Sequence, residues 1–183
     1  MAETQTRKRA RIATQAVDPE WVKEFMARWA DAWNSHEPQR VLDLMTDDIV
    51  YDDSASPETM RGHADVRAFL DMTWRAFPDL HFEAIGEPLV GAHEPRAAIW
   101  WRGTATHSGR IEPPGLDPTG KRIEFEGADF HTYRDGQLAR LQIVFDMADL
   151  LRQLGVLPPP GSVGEKAITT LGNLQTKLRA RSR

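Results

Sequence analysis

Apolar and polar positions alternate with a period of two on both sides of Asp135-Gly136, through RIEFEGADFHTYR (122–134) and QLARLQIVF (137–145). This is the pattern of two half-buried strands, and Asp-Gly supplies the positive φ angles of a type I′ turn whose twist matches them. With Arg134 facing Gln137, uninterrupted pairing sets His131 opposite Arg140, Asp129 opposite Gln142, Gly127 opposite Val144 and Phe125 opposite Asp146. Directly opposed residues share a face. Asp129, His131, Arg140, Gln142 and Asp146 are therefore expected on one side with Gly127, and Ala128, Phe130, Leu141, Ile143 and Phe145 on the other. Half-solvated sheets alternate in this way too, so the polar side reads either as a solvated face or as the lining of a pocket.

Upstream the period changes to that of a helix. Asp18-Pro19-Glu20 is an N-cap with proline at the first helical position, and predicts a helix to about Ser35 whose inner stripe is Val22, Phe25, Met26, Trp29 and Trp33. Asn34 to Pro38 breaks it, and Gln39 to Met45 reads as a short second helix, followed by an extended Thr46–Asp53. A third helix is expected over about 64–77, with Val66, Phe69, Leu70, Trp74 and Phe77 on its apolar side. Strands follow at 81–85, 89–92 and 97–106. In the last of these, Trp100 and Trp101 must point to opposite faces. Helices followed by a run of strands indicate an α+β domain.

The long connection from Thr106 through Pro113-Pro114-Gly115 to Gly120 reads as a rim or lid, with His107 as its proton-transfer candidate. A helix over Met147–Leu154 ends at Gly155, before Pro158-Pro159-Pro160. Residues 1–16 carry Arg7, Lys8, Arg9 and Arg11 without an apolar period and read as a disordered basic arm. The expected domain spans 17–157, and 158–183 forms a proline linker and an amphipathic helix with Ile168, Leu171, Leu174 and Leu178.

Composition narrows the chemistry. The chain of 183 residues has no cysteine, which removes disulfides, thiolate metal sites and cysteine nucleophiles. A formal net charge of −4 argues against a dedicated nucleic-acid binder. Without an apolar leader or a bilayer-length apolar run, a soluble cytoplasmic protein is expected, with no membrane partner. The zinc H-E-x-x-H, the phosphate loop, the dinucleotide fingerprint and the G-x-S-x-G elbow are all missing, so no metal, cofactor or acyl-enzyme is expected. Proton transfer by carboxylates and imidazole remains.

Several short motifs bear a resemblance. G-T-x-T-H-S-G at Gly103–Gly109, P-T-G-K at Pro118–Lys121, E-G-x-D-F at Glu126–Phe130, and D-x-x-x-L-L-R-Q-L-G from Asp146 resemble the SnoaL-like polyketide cyclase family. That family lies in the superfamily of ketosteroid isomerase, limonene epoxide hydrolase and nuclear transport factor 2. The resemblance covers roughly 17–157. It implies a cone-shaped half-barrel, a curved antiparallel sheet wrapped around the N-terminal helices, and a homodimer formed through the sheet.

The resemblance also implies roles. Asp146 takes the position of the cyclases' catalytic aspartate, with Asp129 and His131 orienting the substrate or donating to its enolate oxygen. Thr46–Asp53 resembles the D-D-x-x-x-x-D strand entry of ketosteroid isomerase, which sets Asp53 where that enzyme has its base and Trp29 where it has a tyrosine donor. Trp29, Trp33, Asp53, Trp74, Trp101, His107 and Gln142 are the expected substrate contacts. The implied activity is cofactor-free cyclase or isomerase chemistry on a small to medium apolar carbonyl compound. Epoxide-hydrolase-like water activation is the alternative, although Gly127 stands where that enzyme has arginine, and a non-catalytic small-molecule-binding module is another.

Overall fold

The computed structural model describes residues 16–181. Helix α1 (Pro19–Asn34) starts at Asp18, whose carboxylate accepts the N–H groups of Glu20 at 2.8 Å and Trp21 at 3.4 Å. Its stripe of Val22, Phe25, Met26, Trp29 and Trp33 is buried as expected. After α2 (Pro38–Leu42) come β1 (Met45–Asp53), β2 (Met60–Arg61) and α3 (Gly62–Ala76). Then follow β3 (His81–Ala84), β4 (Leu89–Val90), β5 (Arg96–Thr106), β6 (Arg122–Arg134) and β7 (Gln137–Phe145). The last elements are α4 (Met147–Leu154) and α5 (Val163–Arg181).

The strands form one sheet in the order β2-β1-β7-β6-β5-β3, with β4 also paired to β5. It is curved and unclosed, and the core fills its inner side between α1, α3 and the strands. All pairings are antiparallel except β1 with β7, which run parallel. Asn34 at the end of α1 fastens that helix to the sheet edge: its amide donates to Phe82 O and accepts from Phe82 N, both at 2.9 Å. Among the described residues no helix is long and apolar enough to cross a membrane.

The turn at Asp135-Gly136 has both residues at positive φ, 52° and 79°, as a type I′ hairpin requires. The predicted register holds for two pairs only. Arg134 faces Gln137 and Tyr133 faces Leu138, but Thr132 faces Arg140, so Ala139 is an extra residue in β7. This bulge turns the rest of β7 over relative to β6. His131 now faces Leu141, Asp129 faces Ile143 and Gly127 faces Phe145. Leu141, Ile143 and Phe145 therefore belong to the inner face and not, as expected, to the outer one, while Arg140 and Gln142 are exposed on the outside. The outer face has a different apolar set: Trp100, Phe130 and Val144 are 55%, 47% and 39% exposed.

The short α4 is closed by Gly155 at φ 82°, and α5 carries Ile168, Leu171 and Leu174 more than half exposed. The expected arm at 1–16 lies, apart from Ala16, outside the described residues.

Candidate active site

A cavity of about 1150 Å³ opens between α1, α3 and the inner face of the sheet. That is at or above the usual size of small-molecule sites, roughly 300–1,000 Å³, and gives room for several fused rings. Its wall is largely apolar and includes the rings of Trp29, Trp33, Phe82, Trp101, Phe125 and Phe145. Residues 111–116 of the long connection line it as well, in keeping with the rim read from sequence.

Two carboxylates reach this space. Asp53 pairs with Ile143, and Ile143 with Asp129, so the two acids sit in one row across β1, β7 and β6 with Ile143 between them. At the usual strand spacing their backbones are about 10 Å apart. Both line the cavity.

Asp129 is 3% exposed and held by donors from three elements. Trp101 Nε1 donates to Oδ1 at 2.6 Å, and Trp29 Nε1 donates to Oδ2 at 3.0 Å. His131 Nε2 lies 3.4 Å from Oδ2, and its Nδ1 lies 3.1 Å from the Tyr133 hydroxyl. Residues 129, 131 and 133 share a face because a strand alternates. A proton on Nε2 lets the imidazole donate to Asp129 while its Nδ1 meets the Tyr133 hydroxyl. Burial, reinforced by Asp129, pushes the ionisation of the Tyr133 hydroxyl well above the usual tyrosine range.

Asp53 is held differently. Its Oδ1 accepts Ala55 N at 2.8 Å, as an Asx turn does, and its Oδ2 accepts the Tyr51 hydroxyl at 3.1 Å. Burial pushes its carboxyl up to about 6, against the opposing pull of those two hydrogen bonds, and the charge of Asp129 adds to the rise. Tyr51 is fully buried and its own ionisation is pushed up by burial and by Asp53.

Of the residues expected at the site, Asp129, Asp53, Trp29, Trp33 and Trp101 line the cavity. The others are corrected. Asp146 is exposed and N-caps α4, accepting Asp149 N at 2.9 Å, because β7 ends one residue before it. Gln142 is turned outward by the Ala139 bulge. Trp74 packs behind the wall, stacked on His36 at 5.4 Å and edge-on to Trp33 at 5.7 Å. His107 is buried beneath the long connection, where its Nδ1 accepts Thr119 N at 3.2 Å and its ring meets Phe77 at 5.3 Å. Burial lowers its basicity. His131 supports Asp129 from behind and does not itself line the space.

Sequence reasoning missed Tyr51 and Tyr133. Each stands two residues from a singled-out acid or histidine on the same strand, and that spacing is the signal that identifies them.

The family model of the SnoaL-like polyketide cyclases matches residues 23–154. Among solved structures, AclR from Streptomyces galilaeus, described as a candidate hydroxylase, is 26% identical with a TM-score of 0.66, over 88% of this chain and 98% of that one. A candidate SnoaL-like polyketide cyclase from Jannaschia sp. CCS1 is 17% identical with a TM-score of 0.66, over 79% and 99%. A protein of ketosteroid isomerase-like fold from Catenulispora acidiphila, in complex with trimethylamine, is 19% identical with a TM-score of 0.60, over 72% and 92%. No curated protein matches the sequence.

Proposed function

This chain belongs to the SnoaL-like polyketide cyclase family, and from that premise we propose that it is a cofactor-independent acid/base enzyme of the cyclase or isomerase type. The substrate is a flat, apolar carbonyl compound held against the tryptophan and phenylalanine wall. Asp53 is the general base. It takes a proton from the carbon next to the carbonyl, and in an aldol closure the new alkoxide recovers that proton from the Asp53 carboxyl once the carbon–carbon bond has formed. Proton inventory is then unchanged over the cycle, and no external acid is consumed.

One observation carries this reading: Asp53 is a half-buried carboxylate facing an aromatic cavity, poised by burial near 6, where both its protonation states are within reach of neutral pH. Asp129 differs in having its oxygens engaged by two indoles and an imidazole. Its role is to fix Trp29 and Trp101 as a rigid surface and to accept a hydrogen bond from a substrate hydroxyl. The row Asp53–Ile143–Asp129 thus gives one group that moves a proton and one that holds the molecule still.

The test needs no natural substrate. Exchange of the α-protons of 2-tetralone in D₂O, followed by NMR, reads proton abstraction directly. Catalysed exchange is expected from the intact protein, and Asp53→Asn should lose roughly 10²–10⁴ of it, the usual cost of removing a general base. Exchange no faster than in buffer would sink the assignment.

A further inference from the structure

The groups around the cavity are strongly unbalanced in charge. Asp129, Asp53, Glu58, Asp65, Glu83 and Glu112 all line it, while the sole cation among its described lining residues is Lys23. That ammonium is already taken, at 3.3 Å from Glu20 and 3.4 Å from Glu87. Some of the acids have partners of their own: Arg110 pairs with Glu112, His81 lies 3.9 Å from Glu83, and Asp65 accepts Arg61 N at 2.9 Å. Asp53 and Glu58 are in no ion pair among the described residues.

Among the described lining residues no unpaired cation faces the cavity, and the one unpartnered indole N–H, that of Trp33, is a buried neutral donor. The indole N–H groups of Trp29 and Trp101 are spent on Asp129, and the first turn of α4, which touches the cavity through Met147, is capped by Asp146. The aromatic faces add to the same sign, because the quadrupole of each ring presents negative charge above its plane.

We propose that this cavity sorts its ligands by charge: it takes a flat apolar carbonyl compound that bears no anionic group, and an ammonium on such a compound tightens binding. The inference rests on the reading of the cavity as the substrate site. A ligand carboxylate about 6 Å from an unpaired Asp53, at an effective dielectric of about 20, binds about a hundredfold more weakly than its neutral counterpart. An ammonium at the mouth gains from Glu58 and from the ring faces, by a smaller factor because it stays partly hydrated.

The experiment is a calorimetric binding series on one bicyclic skeleton at pH 8 and low ionic strength: 2-acetylnaphthalene, its 6-carboxylate and its 6-aminomethyl derivative. The expected order of affinity is ammonium, then neutral ketone, then carboxylate, with at least tenfold between the last two. The exposed Glu58→Gln should narrow the spread while leaving the neutral ketone's affinity unchanged, and Asp53→Asn should separately raise the carboxylate's affinity relative to the ammonium's. A carboxylate that binds as tightly as the ketone in the intact protein overturns charge sorting and leaves the proton-transfer reading standing. If none of the three binds, the cavity is not a site for such carbonyl compounds, and both readings fall. The order in the intact protein decides the matter even if a variant misfolds.

Discussion

The indole of Trp101 lies across the bare backbone of Gly127, its direct partner on the neighbouring strand, and from there its N–H reaches Asp129. A Cβ on Gly127 would stand 2.5 Å from two carbons of the ring and 2.8 Å from Val144 O. Phe145 pairs with Gly127 from the other side, so the glycine is the gap through which the two aromatic rings approach at 6.3 Å. Gly127→Ala should push the indole off Asp129 and cost about 1–3 kcal/mol, the usual price of overpacking. Denaturant unfolding together with tryptophan fluorescence checks it. An unchanged midpoint and spectrum would show that the ring yields freely.

Asp53 gives stability an unusual dependence on pH. Its carboxyl rises from 3.8 to about 6 on folding, so between those values the folded state binds the proton more tightly than the unfolded chain. The contribution is full below 3.8 and is lost as pH climbs through about 6. Native protein should therefore be destabilised by Asp53 on going from pH 5 to pH 8, and Asp53→Asn should remove that component of the slope and be the more stable of the two at pH 8. Proton abstraction should run the opposite way, increasing through about pH 6 as the base ionises. Unfolding midpoints at the two pH values, and a pH profile of tetralone exchange, read the two trends independently.

Asp146 is expected to matter to α4 and not to turnover. Asparagine caps a helix about as well as aspartate, so Asp146→Asn should be nearly neutral, whereas Asp146→Ala should cost roughly 1 kcal/mol. Both should retain exchange activity. A variant that is fully folded but inactive would return the residue to the site.

The outer face of the sheet is proposed as a homodimer interface. Trp100, Ala128 and Val144 are neighbours in register, with Phe130 two residues along β6 on the same face, and so much exposed apolar surface in one patch marks a contact. Sedimentation should find a dimer at micromolar concentration and a monomer for Trp100→Glu. A monomeric parent protein would leave that patch for another partner.

Much of this protein was determined by local pattern. The Asp18-Pro19 cap, the stripe of α1, the type I′ turn and the Gly155 stop each depend on residues within a turn or two of one another, and the structure has them where the sequence put them. That Asp129 and His131 share one face of β6 also follows from alternation along that strand, but whether the face meets solvent or lines a pocket does not. What the sequence left open was how one strand sits against the next. A single extra residue, Ala139, reverses every side chain of β7 beyond it relative to β6, moving Gln142 outside and Ile143 and Phe145 inside. No residue type at that point announces the bulge. It goes with the burial of Leu141 and Ile143 in a core that also takes in residues of α1 and α3, more than sixty positions away in the chain. The same holds for Trp29 and Asp129, 100 residues apart in sequence and 3.0 Å apart in the fold: the donor and the acceptor were each legible, but their meeting depends on how α1 crosses the sheet, and only tertiary packing decides that.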